Sequence, residues 1–149
     1  MDKRFMYRAI ELAKIAEEKG DVPIGAVVVK DGEIIAEGYN RREKDHNPLA
    51  HAEIEAIKKA GEVLGNWHLD ECDLYVTLEP CPMCAGAIIN SRIKTLVFGA
   101  YDLKAGSASN DSVINLFDLP YNHKPEIYGG ICEEETKKLL QDFFSKKRK

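Results

Sequence analysis

Phe5, Ala9, Leu12, Ala13 and Ala16 recur at the spacing that gathers apolar side chains on one face of a helix, and Gly20-Asp21 ends that segment. The pattern then changes period. Ile24–Val29 is a short β-branched run, and a second run covers Glu33–Gly38. Asp31-Gly32 between them is a hairpin signal, because both central positions of the tight turn need positive φ. Helical spacing resumes from about Pro48 to Leu64, with Ile54, Ile57 and Leu64 facing inward. Leu74–Leu78 reads as a strand, Cys81–Ser91 as a helix and Thr95–Phe98 as a strand. After Gly99 the chain is loop-like to about Asp111, with a short helix expected at Ser112–Phe117 and a last strand at Glu126–Tyr128. Glu133–Phe144 closes the pattern as an amphipathic helix with Thr136, Leu139, Leu140 and Phe143 on one side.

This order predicts an α/β protein: three layers, α/β/α, around a mixed sheet of about five strands. The opening hairpin is antiparallel, and strands separated by helices need crossovers and so lie otherwise parallel. No repeat or Pro/Gly/Ser-rich linker divides the 149 residues, so one domain spanning 1–149 is expected, with a basic tail over 145–149. Apolar residues make up 44% and charged residues 31%, which excludes a coiled coil, a collagen-like fibre and a disordered chain. The longest apolar stretches, Gly25–Val29 and Ala85–Ile89, fall far short of the roughly 20 residues of a membrane span. Met1-Asp2-Lys3-Arg4-Phe5 shows no apolar leader core, and a cytoplasmic protein with no membrane partner is expected.

Charge adds an asymmetry. The net charge is −4, but Lys146-Lys147-Arg148-Lys149 hold four of the 21 basic residues, leaving 17 against 25 acidic residues, or −8, elsewhere. Such a tail is either a solvated terminus or a local patch for a polyanion, which needs no positive total.

Four cysteines stand at 72, 81, 84 and 132. In a cytoplasmic chain they are not expected to pair as disulfides, and Cys81-x-x-Cys84 must be redox, metal or accident. Cys72 and Cys132 have no partner at metal spacing and read as small buried residues. Two segments gather the chemistry: His51-Ala52-Glu53 and Pro80-Cys81-Pro82-Met83-Cys84, each standing where a helix begins after a loop. Helix starts that follow strands meet at the carboxyl edge of an open α/β sheet. One imidazole and two thiolates suit Zn²⁺, and three donors leave the open position of a catalytic site. Residues two apart diverge by about 200° on a regular helix, so Glu53 cannot join His51 as a ligand from mid-helix. It can flank the same pocket, as a general base beside a metal-bound water, if the helix starts there. The prolines and the second segment weaken the redox alternative. H-x-E followed by P-C-x-x-C is the signature of zinc nucleobase and nucleoside deaminases.

The chain resembles the bacterial tRNA-specific adenosine deaminases of the cytidine deaminase superfamily over nearly its whole length. Asp21-Val22-Pro23-Ile24-Gly25-Ala26-Val27, Ala50-His51-Ala52-Glu53-Ile54 and Tyr75–Ile88 carry the resemblance, with Ser91-Arg92-Ile93 and Val97-Phe98-Gly99-Ala100. It implies a cytidine deaminase-like fold, one Zn²⁺ per subunit, a homodimer and hydrolytic conversion of adenosine to inosine at the wobble position of a tRNA anticodon stem-loop. By the same resemblance Asn40 bonds the target nucleoside, Asp102 meets its sugar–phosphate region and Lys104 faces a phosphate. Asn122-His123 matches a pair near the anticodon loop, and Phe144 and Arg148 match residues that stack on and contact flanking nucleotides. The plain alternatives are a turn asparagine at Asn40, a solvated loop at His123 and a core aromatic at Phe144. After Asp102 the chain departs from the family's Pro-Lys-x-Gly-like stretch, reading Leu103-Lys104-Ala105-Gly106-Ser107-Ala108-Ser109-Asn110-Asp111. Two rival functions share the metal donors: a deaminase of free guanine, cytosine or cytidine, and a non-enzymatic zinc module.

Overall fold

A computed structural model describes residues 2–147. The first helix, α1 (Lys3–Glu18), opens on Asp2, whose carboxylate accepts the Arg4 N–H at 3.0 Å. It buries Met6, Ala9, Ile10, Leu12, Ala13 and Ala16 along one face. Strands β1 (Gly25–Lys30) and β2 (Glu33–Tyr39) form the expected hairpin, with Asp31 at φ 53° and Gly32 at φ 76°. Helices α2 (Arg42–Asp45) and α3 (Ala52–Leu64) follow, then β3 (Cys72–Leu78), α4 (Pro82–Asn90), β4 (Thr95–Ala100), a 3₁₀ turn at Leu116–Asp118, β5 (Glu126–Tyr128) and α5 (Glu133–Lys147).

The sheet order is β2-β1-β3-β4-β5. β1 runs antiparallel to both neighbours, while β3, β4 and β5 are parallel, so β2, β3, β4 and β5 all point the same way. Side-chain alternation divides the core in two. Ala26, Val28, Leu74, Val76, Leu96 and Phe98 pack on one face against α3 and α4, through Ala52, Ala56, Ala60, Ala85 and Ile88. Val27, Val29, Tyr75 and Val97 pack on the other face against α1 and Leu139 of α5. The α/β/α layering and the five-stranded mixed sheet agree with the sequence pattern.

Three local expectations are corrected. The helix expected from Pro48 begins at Ala52, because His51 is extended (φ −76°, ψ 152°). Its sheet-facing positions are Ala52, Ala56 and Ala60, while Ile54 is only half-buried. The cause is close approach: a Cβ on Gly38 of β2 would collide with the Ala52 carbonyl and the Ala56 nitrogen, leaving no room for larger side chains between strand and helix. The helix expected over Ser112–Phe117 is only the 3₁₀ turn at Leu116–Asp118, preceded by a bridge between Ala108 and Asn115. Among the described residues, no helix is long and apolar enough to cross a membrane.

Candidate metal centre and active site

Because β2 and β3 point the same way, the starts of α3 and α4 meet at one sheet edge. His51 is the last extended residue before α3, and Cys81 holds the same place before α4, with Pro82 in that helix's first turn. Cys84 then lies one turn inside α4. His51 Nδ1 is 3.7 Å from Cys81 Sγ and 3.6 Å from Cys84 Sγ, and the three donor atoms all lie within 4.8 Å of one another. Zn–S bonds near 2.3 Å and Zn–N bonds near 2.0–2.1 Å put the N···S edge of a tetrahedron at about 3.6 Å, so the spacing fits zinc as well as the donor types do. Among the described residues no fourth His, Cys, Asp or Glu joins the cluster.

Protons and a cation compete for these donors. A hydrogen bond from Cys84, supported by His51, pulls the Cys81 thiol down to about 4. The thiol of Cys84 is pushed upward by its hydrogen bond to Cys81 and by burial, and His51 is pushed upward mainly by Cys81. Glu53 sits in the first turn of α3, only 4% exposed, and burial pushes its carboxyl up to about 7. It lies outside the three-donor cluster, two residues along the chain from His51.

Asn40 is 2% exposed at the end of β2, and its Oδ1 accepts the Ala52 N–H at 2.8 Å. That bond ties β2 to the start of α3 and leaves the amide NH₂ for another acceptor, so Asn40 is more than a turn residue. Asp102 begins the loop after β4; its Oδ1 accepts the Lys104 and Ala105 N–H groups at 3.1 Å each. Lys104 is exposed. Asn122 and His123 lie at the opposite edge of the sheet from His51, where His123 Nε2 is 2.6 Å from the Ile93 carbonyl oxygen just before β4. Phe144 is 45% exposed, whereas its neighbour Phe143 is the buried one, so the core alternative for Phe144 fails. Arg148 lies outside the described residues. Cys72 is buried as expected, but Cys132 is half-buried and takes a left-handed φ of 57° immediately before α5.

One chemically placed residue escapes a reading of motifs. Glu79 is 2% exposed between β3 and Pro80-Cys81, and its two oxygens accept the Asp102 N–H at 2.9 Å, the Ala108 N–H at 2.8 Å and the Ser112 hydroxyl at 2.6–2.8 Å. The available signal is its position: a carboxylate follows β3 directly and stands two residues before Cys81.

Comparison with known proteins agrees with this geometry. The family model of the MafB19-like deaminases matches residues 1–148. The chain belongs to the deaminase family. Its similarity is strong to the tRNA-specific adenosine deaminase of Bacillus subtilis, 49% identical over 149 residues, covering 99% of this chain and 91% of that protein. The Aquifex aeolicus protein of the same name is 47% identical over 147 residues, covering 97% and 94%. A solved structure from work on A-to-I editing by tRNA:A34 deaminases at the wobble position superposes with a TM-score of 0.89 at 44% identity, covering 93% of this deaminase and all of that chain. A guanine deaminase structure from Bacillus subtilis aligns at a TM-score of 0.65 with 48% identity, over 68% of this deaminase and 66% of that chain.

Proposed function

We propose that this deaminase converts adenosine to inosine hydrolytically at the wobble position of a tRNA anticodon, using one Zn²⁺ per subunit. The observation that carries the reading is the set of three zinc-type donors at tetrahedral spacing with a buried carboxylate beside them that is not a donor. Zn²⁺ would be held by His51, Cys81 and Cys84 and would supply Lewis-acid activation of a water. Two thiolates offset much of the cation's charge, so a base is needed close by. Glu53 is that base. It takes one proton from the water as the oxygen bonds to C6, and delivers that proton to N1. It then carries the second proton to the exocyclic nitrogen, which leaves as ammonia while C6 keeps the oxygen. Adenosine and water give inosine and ammonia, and Glu53 ends as it began.

The RNA contacts follow the family resemblance. The Asn40 amide NH₂ faces the nucleoside, and Asp102 and Lys104 take the sugar–phosphate region. Phe144 offers an exposed ring to a flanking base, Arg148 is assigned to the same RNA by the resemblance alone, and stacking of splayed bases is the usual way single-stranded loops are read. Asn122 and His123, at the other sheet edge, are assigned to RNA away from the target base. The family match over residues 1–148 supports a single domain across 1–149, and we read the protein as a cytoplasmic homodimer.

Zinc-loaded protein assayed on an anticodon stem-loop with adenosine at the wobble position, beside free guanine, cytosine, cytidine and adenosine, tests the reading. Mass spectrometry of the digested RNA is expected to show inosine at that position, with the free compounds unchanged. Turnover of guanine, cytosine or cytidine without RNA turnover would overturn it in favour of a free-base or nucleoside deaminase. Stoichiometric zinc with no turnover on any of them would instead make this a binding module.

A further inference from the structure

We infer that Glu79 is a positioning residue that fastens the substrate loop, Asp102–Ser112, to the turn carrying the metal ligand Cys81. The inference rests on the proposed RNA reading only in taking Asp102 and Lys104 as substrate contacts.

Glu79 reaches three places along the loop. Oε1 accepts the backbone N–H of Asp102, Oε2 accepts that of Ala108, and the Ser112 hydroxyl donates across both oxygens. Every partner is a donor, which matches a group that offers acceptors alone. A buried carboxylate is costly unless its oxygens are paired, and here both are. The other connections run between the same two segments. The Ser107 hydroxyl donates to the Pro80 carbonyl at 2.7 Å, and the Glu79 N–H donates to the Ala100 carbonyl at 2.8 Å. Gly106 backs directly onto the carboxylate, where a Cβ would come within 2.6 Å of Glu79 Oε1 and collide with the Asp102 carbonyl. Two residues after Glu79 stands Cys81; on the other side of the bonds stand Asp102, whose Oδ1 is held by the Lys104 and Ala105 N–H groups, and Lys104 itself. A shift of the loop relative to Glu79 is therefore a shift of the substrate contacts relative to the metal centre.

Contacts to sugar and phosphate do not change as C6 reacts, so their displacement weakens ground state and transition state alike and appears in KM. Glu79→Gln keeps the shape but turns an NH₂ toward one of the donors. In the zinc-loaded variant, zinc content is expected to stay at one per chain and kcat to stay within about threefold, with KM for the stem-loop raised about tenfold. Ser112→Ala, which removes one donor, is expected to raise KM less. Hydrogen exchange of the 102–112 amides, compared with wild type, is expected to quicken in Glu79→Gln. Loss of zinc, a fall in kcat with KM unchanged, or wild-type exchange and kinetics below the melting temperature would overturn the inference. A wild-type protein inactive on RNA but active on a free base defeats the RNA reading alone. The exchange measurement then still decides the tether, while the KM prediction, which needs a sugar and a phosphate, falls with the RNA reading.

Discussion

His51 and Glu53 are two residues apart and both stand at the start of α3, His51 as the last extended residue (φ −76°, ψ 152°) and Glu53 in the first turn. The rotation that would separate them on a regular helix therefore does not apply. The imidazole contributes to the three-donor cluster and the carboxylate, buried beside it, does not.

That division of labour predicts the behaviour of Glu53→Ala. Removing a group that is not a ligand leaves zinc bound at wild-type stoichiometry, and removing a buried carboxylate whose ionisation burial opposes does not lower the melting temperature. Deamination falls by about 10²–10⁴-fold, the range of a positioned acid–base group. Metal analysis and single-turnover kinetics on one sample check it; a metal-free variant would make Glu53 a ligand.

Metal removal separates the site from the fold. Neither apolar cluster includes His51, Cys81 or Cys84, and of these three donors only Cys84 is fully buried. Chelation is therefore expected to give an inactive but folded protein. Ligand binding to the native state adds about 4 kcal/mol at a thousandfold excess over Kd, which for a chain of this size corresponds to a melting-temperature loss of about 8–16 °C. Far-ultraviolet circular dichroism should stay near native, and zinc should restore activity. Unfolding on chelation would show that the cluster is structural.

The donor set is legible in the chain because metal ligation restricts residue type and spacing, and H-x-E with P-C-x-x-C meets both restrictions. The hairpin is legible for a similar reason: Asp31-Gly32 is one of few pairs that accept positive φ twice. What escapes depends on distant partners. The four polar residues of α2 have no apolar period, and the segment is held where the Asp21 carboxylate accepts the Glu43 N–H at 3.0 Å. Pro48-Leu49-Ala50 continue a helical spacing, yet the helix waits for His51 to meet the cysteines. The bonds of Glu79 span 23 to 33 residues, and no local periodicity encodes them.

Gly38→Ala probes the contact that seats α3. A methyl group there meets the Ala52 carbonyl and the Ala56 nitrogen, both backbone atoms that cannot rotate aside. The helix must move outward, at a cost of about 1–3 kcal/mol. Because Ala52 lies between His51 and Glu53, the displacement is carried into the site. Activity per folded molecule is expected to fall at least tenfold, with roughly the 10²-fold loss of an ångström-scale misplacement as the upper range. Denaturant melts and kcat at low temperature check both parts; a destabilised variant with unchanged kcat would mean that the site follows the strand and not the helix.

Arg8 and Glu37 provide a pH-dependent link between α1 and β2, remote from the metal donors in sequence. Their bidentate pair has Nε–Oε2 at 2.6 Å and a second bond at 3.0 Å. The hydrogen bonds from Arg8 hold the Glu37 carboxyl below its ordinary value, against burial. A carboxyl with a depressed folded pKa contributes stability that is present above its unfolded value of about 4.3 and is lost as pH falls through the folded one. Both side chains are about a third exposed, so solvent screening limits the pair to about 0.5–1 kcal/mol. A double-mutant cycle with Arg8→Met and Glu37→Gln, measured by urea denaturation, is expected to give that coupling near pH 7. Measured again at the acid end, below the depressed folded value, the coupling should shrink toward zero, because protonated Glu37 no longer offers a charge to the guanidinium. A coupling of the same size at both pH values would mean that packing of the Arg8 stem, and not its charge, joins the helix to the strand.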